Sequence, residues 1–155
     1  PAAIVRCTNN YGPRQHPEKA IPCWILSALR GGPLPVHGAG TAIRDWLYVE
    51  DFARGILAGL SRWQDQATWH FAGQQHMENR RTAGKIASII GAKELAFGPD
   101  RKGQDSRYAL NDMGTRAALD WAPRVSFEEG LYATIEWYRS NSTLWDEEAI
   151  RASVH

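Results

Sequence analysis

The sequence predicts an α/β fold, because short apolar runs bounded by turn residues alternate with segments of helical spacing. Ile4, Val5 and Cys7 form the first run, which breaks at Asn9-Asn10 and reads as a buried strand followed by a loop. Ile21, Trp24, Ile25, Ala28 and Leu29 then recur at helical spacing, with Pro22 in the first turn and Gly31-Gly32 as the stop. Residues 34–37 are extended and residues 38–41 form a turn. Residues 43–49 alternate well enough for a strand or an extended loop. Asp51 then caps a helix through Phe52, Ile56, Leu57 and Leu60, its carboxylate accepting the orphan amides of the first turn. Residues 67–73, with Trp69 and Phe71, read as a further strand. Residues 82–90 read as a helix with Ile86, Ile89 and Ile90 on one face and Gly91 closing it. A short strand at 94–97, an extended stretch at 106–110 and a short helix at 113–119 follow, the helix ending near Trp121-Ala122-Pro123. The last helix carries a capping box, Ser126-Phe127-Glu128-Glu129, and then Phe127, Leu131, Ile135 and Tyr138 on one face. The acidic run Asp146-Glu147-Glu148 reads as a solvated helix face, and the tryptophans, Trp24, Trp46, Trp121 and Trp137 among them, as core. No repeat, low-complexity segment or linker divides residues 1–155, so a single domain is expected.

Composition narrows the function classes. A chain of 155 residues buries roughly 68–70% of its unfolded surface, enough for a core without disulfides or metal. Lys+Arg is 18 against Asp+Glu 17, a balance that does not suit a non-specific nucleic-acid binder. Two cysteines, Cys7 and Cys23, exclude a disulfide framework and fit a reducing compartment. No apolar run approaches the ~20 residues of a membrane span, and no signal-peptide pattern is visible, so a cytoplasmic location is the expectation. An opening strand that begins at Pro1 suits the later part of a longer design, with a processed start as the alternative.

Patterns of chemistry are sparse. His16, His37, His70, His76 and His155 show no paired metal-ligand spacing. There is no G-x-S-x-G elbow, no G-x-G-x-x-G, no P-loop, and no tyrosine followed four residues later by lysine. Gly38-Ala39-Gly40 reads as a turn, and the sequon Asn141-Ser142-Thr143 as chance.

Three blocks carry a resemblance. They are Arg6-Cys7-Thr8-Asn9-Asn10-Tyr11-Gly12-Pro13-Arg14-Gln15 with Pro17-Glu18-Lys19-Ala20-Ile21-Pro22; Pro33-Leu34-Pro35-Val36-His37-Gly38 with Ile43-Arg44-Asp45-Trp46-Leu47-Tyr48-Val49-Glu50-Asp51; and Asp100-Arg101-Lys102-Gly103-Gln104-Asp105 with Arg107-Tyr108-Ala109-Leu110. In order and spacing they resemble the nucleotide-sugar 4,6-dehydratases (dTDP-glucose 4,6-dehydratase-like) of the extended short-chain dehydrogenase/reductase superfamily. Ile135-Glu136-Trp137-Tyr138 fits that family's late helix. The resemblance implies a partial NAD(P)-binding Rossmann-type fold, namely the C-terminal, substrate-binding portion.

The family's glycine-rich NAD loop, its Thr-Asp-Glu set and its Tyr-x-x-x-Lys pair belong to the other half, and none of these motifs is present here. The resemblance therefore implies NAD in the full-length family, no cofactor in this chain, and no catalysis by this chain alone.

It also implies a set of substrate-binding residues. Arg44 matches the arginine that reaches the diphosphate, for which a planar fork suits better than an ammonium; a surface pair with Asp45 is its alternative. Asn10 matches a substrate-contacting asparagine, or else bonds its own loop. Lys19 and Ala20 match the segment along the nucleotide, and Pro35, Val36 and His37 the segment lining the base, where the family often has tyrosine in place of His37. Asn79 matches an asparagine near the diphosphate, or caps a helix. Arg101 and Gln104 match the Asp-Arg-Pro-Gly-His loop, with Lys102 for its proline and Gln104 for its histidine.

Two readings follow. In the first, the chain is the nucleotide-sugar-binding portion of an NAD-dependent dehydratase or epimerase, its partner a nucleotide-diphosphate sugar and neither nucleic acid nor membrane. In the second, it is a free-standing, non-catalytic module that binds a nucleotide sugar or a protein. Either way a first strand without a sheet to join would need a second copy or a partner chain to cover it.

Overall fold

The computed structural model describes residues 1–92 and 94–145. The acidic run at 146–148 lies outside the described residues. Among the described residues, eight short strands and five α-helices alternate as the sequence predicts for an α/β chain.

The first strand, β1 (Ile4–Cys7), is not isolated. It pairs in parallel with β5 (Thr68–Phe71), Ile4 opposite Thr68 and Cys7 opposite Phe71. Nor is it buried: Ile4 is 52% and Val5 41% exposed, because β5 flanks it on one side only. The chain does not break into a loop at Asn9-Asn10. Thr8 bends, and Asn9–Tyr11 forms β2, which pairs in parallel with the upper part of β4 (Ile43–Tyr48). β6 (His76–Glu78) lies antiparallel to the lower part of β4, and β8 (Arg107–Tyr108) pairs in parallel with Ile43 and Arg44. A third sheet joins β3 (Leu34–His37) to β7 (Leu95–Gly98).

The helices are α1 (Ala20–Leu29), α2 (Val49–Ser61), α3 (Asn79–Ile90), α4 (Met113–Leu119) and α5 (Phe127–Ser140). α3 begins three residues before the expected start and closes at Gly91, whose φ of 86° is the left-handed conformation that glycine adopts without strain. The capping box of α5 forms in full: the Glu129 amide donates to the Ser126 hydroxyl, and the Ser126 amide donates to the Glu129 carboxylate.

Asp51 differs from its expected role. α2 starts at Val49 with Tyr48 as N-cap, so Asp51 falls inside the first turn and points inward. Its fully buried carboxylate accepts the amides of Arg124 (2.9 Å) and Val125 (3.0 Å) and pairs with Arg54. It clasps the segment that leads into α5.

Two apolar clusters form the interior. The larger holds α1, α3 and α5 around Trp24, Trp46 and Tyr138. The smaller packs Leu47, Trp69, Phe71, Leu119 and Trp121 beneath α2 and α4. β4 supplies both, because successive strand residues point to opposite faces: Trp46 enters the first cluster and Leu47 the second. Trp24, Trp46 and Trp121 are buried as expected, and Trp137 packs against the larger cluster. Among the described residues no helix is long and apolar enough to cross a membrane.

Candidate functional site

A cavity of about 370 Å³ opens where α1, β3, β4, α3 and the 99–106 loop converge. Each element contributes by its periodicity. On β4, Arg44 and Trp46 share the face that lines it, whereas the intervening Asp45 turns away, is fully buried, and accepts the Gln75 amide at 2.7 Å. On β3, Pro35 and His37 line it while Val36, 2% exposed, faces the core. From β2 it is Asn9 that lines the cavity. Asn10 points elsewhere, its carboxamide nitrogen donating to Cys7 Sγ at 3.1 Å.

Eight of the ten residues that the sequence singles out therefore lie on one cavity wall: Lys19, Ala20, Pro35, His37, Arg44, Asn79, Arg101 and Gln104. Asn10 and Val36 do not. The Asn9 side chain, which sequence reasoning passed over, does, together with Glu18, Cys23, Trp24 and Trp46.

The electrostatics favour an anion. Three cations, Lys19, Arg44 and Arg101, face a single carboxylate, Glu18. Arg44 makes no ion pair with Asp45 among the described residues. Its Nη1 donates to the carbonyls of Ile43 and Asp105, both at 2.9 Å, which fixes the fork at the cavity edge. The Arg101 guanidinium has no partner among the described residues, while its backbone amide donates to Asp100 Oδ1 at 2.9 Å. Gln104 Nε2 reaches the same oxygen at 3.4 Å, closing the 101–104 turn. Lys19 Nζ lies 2.9 Å from Glu18 Oε1, and this pair holds the Glu18 carboxyl below its ordinary value.

Two helix N-termini add to the field. Lys19 is the N-cap of α1 and Asn79 the first residue of α3, and neither helix carries an acid in its first turn. Both positive ends are nonetheless partly offset: Glu18 precedes Lys19, Glu78 is the N-cap of α3, and the Asn79 and Arg80 amides already donate to the Ala42 and Gly40 carbonyls, both at 3.0 Å, so the side-chain cations carry most of the field.

Among the described residues three buried carboxamide oxygens, Asn9 Oδ1, Asn10 Oδ1 and Asn79 Oδ1, find no hydrogen-bond partner, and of these residues Asn9 and Asn79 line the cavity. Orphaned acceptors on a cavity wall call for donors such as the hydroxyl groups of a ligand. Flat apolar surface comes from Trp24, which donates its indole N–H to the Pro35 carbonyl at 2.5 Å, and from Trp46, which donates to Thr82 Oγ1 at 3.1 Å. Together these groups suit a polyanion with hydroxyls and a planar ring. Among the described residues no group of three or more metal-ligating side chains occurs.

Residues 1–72 match the NAD dependent epimerase/dehydratase family. The chain is 40% identical over 158 residues to a dTDP-glucose 4,6-dehydratase of Neisseria gonorrhoeae, covering 92% of this chain and 45% of the relative. It is 38% identical over 154 residues to dTDP-glucose 4,6-dehydratase 1 of Escherichia coli, covering 94% of this chain and 42% of the relative. Among solved structures, the dTDP-glucose 4,6-dehydratase of Streptomyces venezuelae with NAD bound superposes with a TM-score of 0.88 at 39% identity, over 95% of this chain and 46% of that one. A UDP-glucose 4-epimerase of Thermotoga maritima with UDP-glucose gives 0.85 at 28% identity, over 90% of this chain and 46% of that one. The chain thus spans less than half the length of the relatives it matches.

Proposed function

We propose, from this kinship with the dTDP-glucose 4,6-dehydratases over less than half their length, that the chain is the nucleotide-sugar-binding portion of an NAD-dependent enzyme of that kind. The observation that carries the reading is the convergence of Lys19, Arg44 and Arg101 on one cavity. The diphosphate lies among those three cations. The sugar hydroxyls donate to Asn9 and Asn79, and the base rests against Pro35 and His37.

The chain does not turn substrate over by itself. Sugar dehydration of this class begins with hydride transfer to a nicotinamide, which the cofactor performs and the protein only positions. The described residues do not fit that cofactor. A dinucleotide's pyrophosphate rests on glycines and free amides at a strand-to-helix turn, but α2, which follows β4 directly, places Glu50 and Asp51 there. The orphaned acceptors and cations are those of a binding site, and no tyrosine–lysine pair accompanies them among the cavity residues.

Calorimetric titration tests both halves of the reading. The chain binds dTDP-glucose, does not bind NAD, and forms no keto-sugar when both are supplied. Tight NAD binding, or no heat with any nucleotide diphosphate sugar, refutes it.

A further inference from the structure

We infer, on the nucleotide-sugar reading of the cavity, that the buried bond between Trp46 and Thr82 is a strut that sets the acceptors Asn9 and Asn79 to grip the sugar part of the ligand, with Thr82 as the positioning residue. The Trp46 indole N–H donates to Thr82 Oγ1 at 3.1 Å, and the Thr82 hydroxyl donates to the Glu78 carbonyl at 3.3 Å. The hydroxyl has one proton and gives it to Glu78, so a lone pair is left to receive the indole. Thr82 is fully buried and Trp46 is 5% exposed. The pair therefore acts as a brace between β4 and α3 and presents little surface of its own to a ligand.

Each end of the strut carries one of the orphaned acceptors. Trp46 of β4 is the register partner of Asn9 of β2. Thr82 lies three residues after Asn79 on α3, which puts both on one face of the helix. Asn9 Oδ1 and Asn79 Oδ1 are buried without a partner among the described residues, and both residues line the cavity. A diphosphate carries only acceptors at neutral pH and cannot satisfy them. A hexose supplies donors in its hydroxyl groups, spaced around a rigid ring, so a fixed separation between the two acceptors favours it.

The strand end of the strut is rigid. Gly73 packs so close to β4 that a Cβ there would collide with the Trp46 carbonyl, and the Trp46 amide donates to the Gln75 carbonyl at 3.3 Å. The Tyr11 ring meets the indole edge-on, 6.3 Å between centres. At the helix end, the Asn79 and Arg80 amides donate to the Ala42 and Gly40 carbonyls, which fixes where α3 begins. Thr82, about one turn along, fixes the rotation of the helix about its own axis, and with it the direction of the Asn79 carboxamide.

Calorimetric titration with dTDP-glucose and with dTDP tests the strut. Thr82→Val keeps the volume and removes the acceptor; it raises the Kd for dTDP-glucose by about tenfold and leaves that for dTDP within about twofold. Thr82→Ser keeps the acceptor and stays near wild type with both ligands. Asn79→Ala shows the same sugar-selective loss, and the double variant with Thr82→Val loses no more than either change alone, because both act on one contact. Should Thr82→Val not fold, the split of Asn79→Ala between the two ligands decides the point. In the unliganded chain the Trp46 indole proton, assigned by its absence in Trp46→Phe, exchanges with water about tenfold faster in Thr82→Val. Equal losses for dTDP and dTDP-glucose, a Thr82→Ser variant as weak as Thr82→Val, or an indole proton that exchanges alike in wild type and Thr82→Val each overturn the strut. Wild type that binds neither ligand overturns the nucleotide-sugar reading and the strut with it, whereas wild type that binds both, with Thr82→Val unchanged, overturns the strut alone.

Discussion

Replacing Arg44 by alanine removes the best-anchored cation of the cavity. Its Nη1 already spends two hydrogen bonds, each 2.9 Å, on the Ile43 and Asp105 carbonyls, so the guanidinium is held in place before a ligand arrives. A charge-assisted contact to a diphosphate contributes roughly 2–3 kcal/mol, which is about a 30- to 150-fold rise in Kd for dTDP-glucose. Binding is weakened and not abolished, because Lys19 and Arg101 remain on the same wall. The variant also loses the strut to Asp105, which lowers stability by about 1 kcal/mol. Arg44→Lys keeps the charge without the planar fork and forfeits about 1 kcal/mol of binding, roughly fivefold. Calorimetric titration of the three proteins at one ionic strength, with thermal unfolding as the control for folding, gives the ordering wild type, Lys, Ala. A folded alanine variant that binds within about twofold of wild type removes Arg44 from the site.

Three further outcomes are expected. Asn9→Ala raises the Kd for dTDP-glucose by about tenfold while Asn10→Ala leaves it unchanged, since only Asn9 lines the cavity; the reverse ordering refutes the placement of β2. Asp51→Ala costs about 2–3 kcal/mol in urea denaturation, because it leaves the Arg124 and Val125 amides without their acceptor while Arg54, a third exposed, turns to solvent, and a loss below about 1 kcal/mol counts against the clasp. Ser126→Ala costs about 1 kcal/mol through loss of the cap. It also alters the pH profile: the Ser126 hydroxyl and backbone amide hold the Glu129 carboxyl below its ordinary 4.5. That contribution is complete above the unfolded value and is lost as pH falls through the depressed folded one. Wild-type stability therefore declines in acid more steeply than that of Ser126→Ala, and parallel profiles would contradict the assignment.

Helices announced themselves where a cap or stop is encoded locally. Ser126 with Glu129, and Gly91 after Ile90, needed nothing beyond their neighbours. β2 and β6 were not legible, because a three-residue strand of Asn9, Asn10 and Tyr11 has too little apolar pattern to compete with a loop reading, and its pairing with β4 is fixed only in three dimensions. The same limit divided the site. The blocks that carry the resemblance located the cavity, but a strand sends adjacent residues to opposite faces, so choosing Asn9 over Asn10, or His37 over Val36, requires a register that sequence alone does not supply. Asp51 was misread for a related reason: its carboxylate serves amides more than seventy residues away, at Arg124 and Val125, and no local pattern records such a contact.

The separation of the interior into two apolar clusters bears on how damage spreads. Trp46 contributes to the cluster beside the cationic cavity, and Leu47, its immediate neighbour in the chain, to the cluster beneath β5 and α2. A lesion that loosens Trp69 or Phe71 therefore reaches the cavity wall through two links, the backbone of β4 and the Asp51 clasp between α2 and the segment before α5.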